Sequence, residues 1–301
     1  MYDIIVIGGG PAGLTAALYG LRNGKTVLII EKNVFGGQIT NSPKVENIPG
    51  FDSISGDDFA DKYLKQVMGQ GAKVEFGEVT GVEKTDSGFD VRTDMDDVYS
   101  SKTVILATGT KHRVFGFEGE DELIGNGVHF CAVCDGDFYA GKTVCIIGGG
   151  NSAFVEANLL AEIAGNLIIL QDMPVFTADK KLQDQLFAHK NIEAHTGTKI
   201  VGYVTEDGVM KGVKYIENGF EKVASCDGVF LAIGLIPDNK PFTNIADINE
   251  RGYFTAGEDS LTKTPGVFVA GDCRTKTLRQ VATACADGAM AAIAACDYLR
   301  A

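Results

Sequence analysis

Residues Asp3–Gly13 read DIIVIGGGPAG. An apolar, β-type run breaks into glycines and then into the Ala/Leu-rich segment Leu14–Asn23, which its composition and spacing predict as a helix. Strand, tight turn and helix in that order place Gly8, Gly10 and Gly13 in a GxGxxG pattern. Two of these glycines let backbone approach a pyrophosphate, the third lets helix pack on strand, and the helix N-terminus supplies partial positive charge. The next strand, Thr26–Glu31 (TVLIIE), ends in an acid 18 positions past Gly13, where a carboxylate accepts hydrogen bonds from an adenosine ribose. The pattern predicts a dinucleotide site, against the plainer alternative of a glycine turn in an ordinary α/β protein.

The pattern recurs about 140 residues later as Thr143–Ala153, TVCIIGGGNSA, followed by a helical stretch, Phe154–Ala164, and a strand, Asn166–Leu170. Gly148, Gly150 and Ala153 form the related GxGxxA. A chain of 301 residues has room for two domains, and the repeat predicts two nucleotide-type βαβ units. Between them, strand candidates at Lys73–Phe76, Val79–Val82, Phe89–Arg92 and Thr103–Ala107 predict an antiparallel insertion. A similar set follows the second unit at Ile192–Ala194, Lys199–Val204, Gly212–Ile216 and Gly228–Ile233. Val267–Ala270 then enters Gly271-Asp272, and the alanine-rich Val281–Arg300 reads as a long helix, so the chain returns to its first domain. The expected fold is α/β, with two Rossmann-like dinucleotide-binding domains, the second smaller and inserted, each carrying an antiparallel β insertion. The expected boundaries are 1–112, 113–241 and 242–301.

Lys plus Arg number 27 and Asp plus Glu 40, a net charge of -13. That sign argues against nucleic acid as a partner. Glycine makes up 38 of the 301 residues against 7 prolines, about twice the usual share of ~7% yet neither collagen-like nor a disordered linker. Met1-Tyr2-Asp3 runs into the first strand without a basic n-region, and no run of 18 apolar residues occurs. The expectation is a soluble, unprocessed cytosolic protein that neither spans nor binds a membrane.

Seven cysteines include one close pair, Cys131-Ala132-Val133-Cys134, followed by Asp135. A CxxC serves as a metal knuckle, a haem attachment or a redox dithiol. Zinc needs a second ligand pair, which is missing, so no metal site is expected. Haem attachment needs His where Asp135 stands. A redox dithiol fits, since one thiolate attacks a partner disulfide and the other resolves it, with Asp135 placed to handle the thiol proton. Two buried structural cysteines are the alternative. The other five cysteines read as core fillers, and His112, His129, His189 and His195 form no cluster and are given no role.

Two dinucleotide folds, a CxxC ahead of the second, and Gly271-Asp272 before the last helix resemble the low-molecular-weight, bacterial-type thioredoxin reductases over essentially the whole chain. The resemblance implies a homodimeric FAD protein whose FAD domain comes from both chain ends, with a smaller inserted domain carrying the CxxC. It implies FAD contacts at Gly8, Gly10, Pro11, Ala12, Gly13, Glu31, Gly36, Gly37, Gln38, Thr40 and Asn47. They continue at Thr108, Gly109, Gly271, Asp272, Arg279, Gln280, Val281 and Ala282. It makes Cys131 and Cys134 the redox pair, Cys134 the cysteine nearer the flavin, Asp135 the acid/base and thioredoxin the electron acceptor.

The departures cluster in one place. Where NADPH-dependent members carry His-Arg-Arg-x-x-x-Arg, this chain has Gln171-Asp172-Met173-Pro174-Val175-Phe176-Thr177, and a 2'-phosphate would meet Asp172. The first of two glutamates after the GxGxxA is Val155. This pattern looks like the thioredoxin reductases of anaerobes that take electrons from reduced ferredoxin, which becomes the favoured donor. NADH is the next alternative, since Asp172 suits a ribose diol, and NADPH follows. A flavin oxidase with a regulatory dithiol and a non-catalytic flavoprotein are the competing classes. Ferredoxins are usually acidic, so a chain at -13 needs a local basic patch to dock one; Arg274, Lys276 and Arg279, or Lys111 with Arg113, or Lys180 with Lys181, are the candidates. With any donor the dithiol must meet the flavin and then the substrate, which implies a domain rotation or an access gap.

Overall fold

The computed structural model describes residues 1–42, 45 and 47–301. The chain opens with β1 (Tyr2–Ile7), α1 (Pro11–Arg22) and β2 (Val27–Glu31). Helix α2 (Gly56–Gly69) leads into β3 (Lys73–Phe76), β4 (Val79–Thr85), β5 (Gly88–Thr93) and β6 (Val98–Leu106). Short elements follow: β7 (Lys111–His112), α3 (Glu120–Leu123), β8 (Val128–His129) and α4 (Ala132–Asp135). The second βαβ unit is β9 (Thr143–Ile147), α5 (Asn151–Ile163) and β10 (Asn166–Leu170), continued by α6 (Lys180–Leu186) and β11 (Ile192–His195). A meander of β12 (Lys199–Glu206), β13 (Val209–Glu217) and β14 (Phe220–Ser225) precedes β15 (Gly228–Leu231) and β16 (Leu235–Ile236). The chain ends through β17 (Val267–Val269) and α7 (Val281–Tyr298).

Two compact units result, Met1–Lys111 with Ile236–Ala301, and His112–Leu235. The return crossing falls at residue 235/236, ahead of the expected 241/242. Asn239 explains why: buried at 1% exposure, it donates to the carbonyls of Gly252 (2.9 Å) and Cys273 (2.8 Å) and accepts from Thr108 Oγ1 (2.7 Å), fastening its segment to the first unit.

In the first unit the sheet order is β3-β2-β1-β6-β5-β4, with β17 also paired to β6. Ile4, Ile5 and Val6 of β1 are all fully buried, the unbroken apolar run of a parallel strand covered on both faces. Ala16 and Ala17 of α1 and Ala291, Ala292 and Ala295 of α7 are also fully buried in one cluster. Small side chains there let the two helices pack closely, so the C-terminal helix completes the core begun by residues 2–22.

In the second unit a parallel sheet runs β11-β10-β9-β15-β8, beside an antiparallel β12-β13-β14 meander. Each unit therefore has a parallel dinucleotide-type sheet and an antiparallel insertion, as expected. Four strand assignments change, two in each unit. Lys73–Phe76 pairs parallel to β2 as the sheet edge, and β6 divides its length: Val98–Ser101 pairs antiparallel with β5, while Thr103–Leu106 lies parallel to β1. In the second unit, the runs at Ile192 and Gly228 likewise join the parallel sheet. A nine-residue strand is long enough to serve both kinds of neighbour, and its period-2 pattern carries no information about partner direction. Among the described residues, no helix is long and apolar enough to cross a membrane.

Candidate active site

The first glycine turn lies between β1 and α1. Gly8 has φ +107°, and a Cβ there would stand 2.2 Å from the Ala107 carbonyl oxygen; at Gly13 it would stand 1.9 Å from the Gly8 carbonyl oxygen. Only glycine fits, because turn, helix and β6 end close-pack here. Gly10 precedes α1 with no side-chain cap, and Pro11 opens the helix, so the N–H groups of the first turn stay available to an anion. Glu31 is buried and accepts from the Gly9 N–H (Oε2, 2.6 Å) and the Asn33 N–H (Oε1, 2.8 Å). It fastens the turn and also lines a cleft with Gly8, Lys32, Gly77, Glu78 and Thr108, next to where an adenosine would continue from the pyrophosphate.

Distant segments complete this cradle. The Gly36 N–H donates to the Gly9 carbonyl (2.8 Å), and Thr40 Oγ1 donates to the Gly37 carbonyl (2.9 Å), closing the Gly36-Gly37-Gln38 turn onto the first one. Asn47 donates to Gln280 Oε1 (2.9 Å), and Gln280 caps the α7 N-terminus, Val281 and Ala282, with Thr283. Gly109 (φ +67°) follows Thr108, whose hydroxyl is bound to Asn239. The Gly271 N–H donates to Asp287 (2.9 Å), and Arg279 lies over the Tyr253 ring at 4.3 Å while donating to the carbonyls of Asp272, Arg274 and Lys276.

Asp272 tests what the cradle takes. Its Oδ1 is buried without a hydrogen-bond partner, Lys276 stands 4.0 Å away, and burial holds its carboxyl above the usual carboxylate range. An acceptor waiting at one end of a pyrophosphate cradle matches a ligand that carries hydroxyl donors there and phosphates further along. FAD has that order of groups, and the residues present fit it.

The redox pair lies in the second unit. Cys131 and Cys134 are joined by a disulfide with Cα atoms 5.3 Å apart, and both are half-buried. The Cys134 N–H donates to Cys131 Sγ at 3.2 Å, a bond that favours thiolate on Cys131 once the disulfide opens. Asp135 is bound through Oδ2 to His129 Nδ1 at 3.0 Å, and His129 Nε2 meets the Tyr139 hydroxyl at 2.7 Å. Burial, with the Asp135 charge adding to it, pushes the Tyr139 phenol up to about 12. From α5, Glu156 accepts the Ala132 N–H, and burial pushes its carboxyl up to about 7. The sequence reading gives His129 no role and does not name Tyr139 or Glu156. The only hint for His129 is its place six residues before Asp135, and its contacts depend on β8 feeding directly into α4.

The second glycine turn opens onto a loop that folds back over it. The Thr177 and Ala178 N–H groups donate to the Gly149 carbonyl (2.8 and 3.0 Å), Gln171 is buried against Gly149, and Asn151 and Asp179 exchange hydrogen bonds of 3.0 and 2.7 Å. The loop Gln171–Thr177 presents no cation, and Asp172 is exposed. Of the cations expected to serve a basic patch, Arg274 and Lys276 are instead buried on Asp287, with three contacts of 2.8 to 2.9 Å, and Arg279 is occupied as above. A buried carboxylate at the Gly271 turn requires these counter-charges. The five remaining cysteines are reduced; Cys145, Cys226, Cys273 and Cys296 are buried and Cys285 is half-buried.

The family profile for pyridine nucleotide-disulphide oxidoreductases matches residues 2–288. A thioredoxin reductase of Listeria monocytogenes is 38% identical over 301 residues, covering 99% of this chain and 94% of that protein. A 34.2 kDa protein in a rubredoxin operon of Clostridium pasteurianum is 38% identical over 299 residues, covering 99% and 97%. The crystal structure of a thioredoxin reductase from Streptococcus pyogenes matches with a TM-score of 0.83 at 35% identity, covering 100% of this chain and 98% of that one. Matched from end to end, with the FAD-type cradle in one unit and the CxxC disulfide in the other, the chain belongs to the low-molecular-weight, bacterial-type thioredoxin reductases, FAD-binding members of the pyridine nucleotide-disulphide oxidoreductase family.

Proposed function

We propose that this chain takes electrons from a reduced ferredoxin and delivers them, through Cys131 and Cys134, to the disulfide of a thioredoxin. When bound, FAD supplies the electron pair that opens the Cys131–Cys134 bond. Gly8, Gly10, Pro11, Ala12 and Gly13 hold its pyrophosphate, Glu31 its ribose and Asp272 its hydroxyl chain. Gly36, Gly37, Gln38, Thr40, Asn47, Thr108 and Gly109 shape the walls. Arg279, Gln280, Val281 and Ala282 fix the return loop and the start of α7. Cys134 receives the electrons, Cys131 attacks the substrate disulfide, and Asp135 moves the thiol proton. The half-buried sulfurs are open to a protein disulfide, and the flanking Val133 and Phe138 are 62% and 63% exposed, an apolar rim for a docking protein.

The observation that carries the choice of donor is the cation-free Gln171–Thr177 loop lying over the second glycine turn. A 2'-phosphate there has no positive partner and faces Asp172, and burying an unpaired phosphate is costly. The same exposed Asp172 keeps NADH as a second reading, because it suits a ribose diol. The proposal extends to a homodimer, as the resemblance implies, and to a cytosolic protein, as the start of the sequence suggests.

One anaerobic experiment tests the reading: flavin bleaching is followed on adding NADPH, NADH or reduced ferredoxin, with thioredoxin disulfide added afterwards. Rapid bleaching by ferredoxin alone, followed by reoxidation with thioredoxin in the wild type and none in Cys134→Ser, is the expected result. Fast bleaching by NADPH or NADH would overturn the donor assignment, and wild-type turnover by Cys134→Ser would overturn the dithiol route.

A further inference from the structure

We infer that His129 is a positioning residue for the thiol proton: it holds Asp135 in place and steadies the charge left when that proton moves. The inference rests on the reading of Asp135 as the acid/base. His129 is 5% exposed and has both ring nitrogens engaged, Nδ1 with Asp135 Oδ2 (3.0 Å) and Nε2 with the Tyr139 hydroxyl (2.7 Å). Its ring stacks on Phe230 of β15 with centroids 5.3 Å apart, and Tyr139 meets it edge-on at the same distance. A buried imidazole clamped on three sides has one orientation, and that orientation fixes Oδ2 of Asp135, whose side chain is only 18% exposed.

The phenol decides the tautomer. Tyr139 titrates far above neutrality, so its hydroxyl keeps its proton and donates to Nε2. The ring proton is then on Nδ1, which donates to Asp135 Oδ2 and leaves Oδ1 to carry the acid proton. Opening the disulfide takes two electrons and two protons: both electrons and one proton come from the reduced flavin, the S–S bond breaks and two S–H bonds form. One of those protons passes from the Asp135 carboxyl to the sulfur that leaves as thiolate. The carboxylate that remains is met by the Nδ1–H already aimed at it, and it takes a proton back when the dithiol passes its electron pair to the substrate disulfide.

The titratable groups around this pair are few. Tyr139 bonds the ring, Glu156 reaches the Ala132 N–H from α5, Cys226 and Asp227 ahead of β15 act on the Tyr139 phenol, and the Asp135 N–H donates to the Cys131 carbonyl. Nδ1 of His129, at 3.0 Å, is the donor that faces Asp135 Oδ2.

His129→Phe keeps the stack on Phe230 and removes both hydrogen bonds. It should lower kcat for thioredoxin reduction about tenfold with KM unchanged, a fraction of what general acid/base catalysis supplies. A carboxylate that loses a donor protonates more readily, so the limb of the pH profile that Asp135→Asn abolishes should move upward by roughly half a unit to one unit. His129→Asn, whose amide can replace Nδ1–H, should restore most of the rate. Tyr139→Phe should move the same limb upward by less, and serves if His129→Phe does not fold. An unmoved limb in His129→Phe or Tyr139→Phe, whatever the yield of folded holoenzyme, overturns the role of His129. A wild-type rate in Asp135→Asn would instead overturn the acid/base reading itself.

Discussion

Glu156 reaches from α5 to the Ala132 N–H with its Oε2 buried and unpartnered, and burial pushes its carboxyl up to about 7. In the unfolded chain a glutamate releases its proton near 4.5. Between about pH 4.5 and 7 the folded protein therefore holds more protons than the unfolded one, and stability falls as pH rises through that window. Glu156→Gln should flatten the slope and stabilise the protein at pH 8 by about 1 to 3 kcal/mol, the order set by 1.36 kcal/mol per pH unit after discounting for partial exposure. Thermal melts of both proteins across the window check it; parallel curves would mean that Glu156 is ionised throughout.

The loop between β10 and α6 can be tested as an element. It packs on Gly149 through the Thr177 and Ala178 N–H groups and through Asn151 with Asp179. Those contacts do not use the side chains of Asp172 or Met173, which are exposed. Asp172→Arg, Met173→Arg and Thr177→Arg together leave the backbone contacts in place and present cations to a 2'-phosphate, where a charge-assisted bond contributes about 1.5 to 3 kcal/mol. Flavin bleaching by NADPH should then appear, at concentrations at least tenfold below the highest that leaves the parent unbleached. No gain would mean that Gln171, packed on Gly149, also blocks the pyrophosphate.

At the scale of the whole molecule, charge governs encounter. With Arg274, Lys276 and Arg279 committed inside the first unit, 24 of the 27 cations remain to set against 40 acids. Like-charge repulsion between two acidic proteins slows association, and salt screens it over about 10 Å at 0.1 M. The second-order rate of flavin reduction by ferredoxin should therefore rise, by about twofold or more, between roughly 20 and 200 mM salt. A rate that falls with salt would show a local patch steering the donor, with the exposed Arg113 and Lys181 as the cations to replace.

Sequence alone determined what local rules enforce. Gly8 and Gly13 are forced by backbone approach, the CxxC by thiol chemistry, and the lack of arginine or lysine in Gln171–Thr177 is read directly from the chain. Tertiary structure decided the rest, because it turns on groups that meet only after folding. Strand direction at Lys73–Phe76 and Thr103–Leu106 follows from neighbours across the sheet, to which a period-2 pattern is blind. His129 looks like any isolated histidine until β8, α4 and the Tyr139 turn enclose it. Arg274 and Lys276 look like surface charge until Asp287, on the last helix, draws them in.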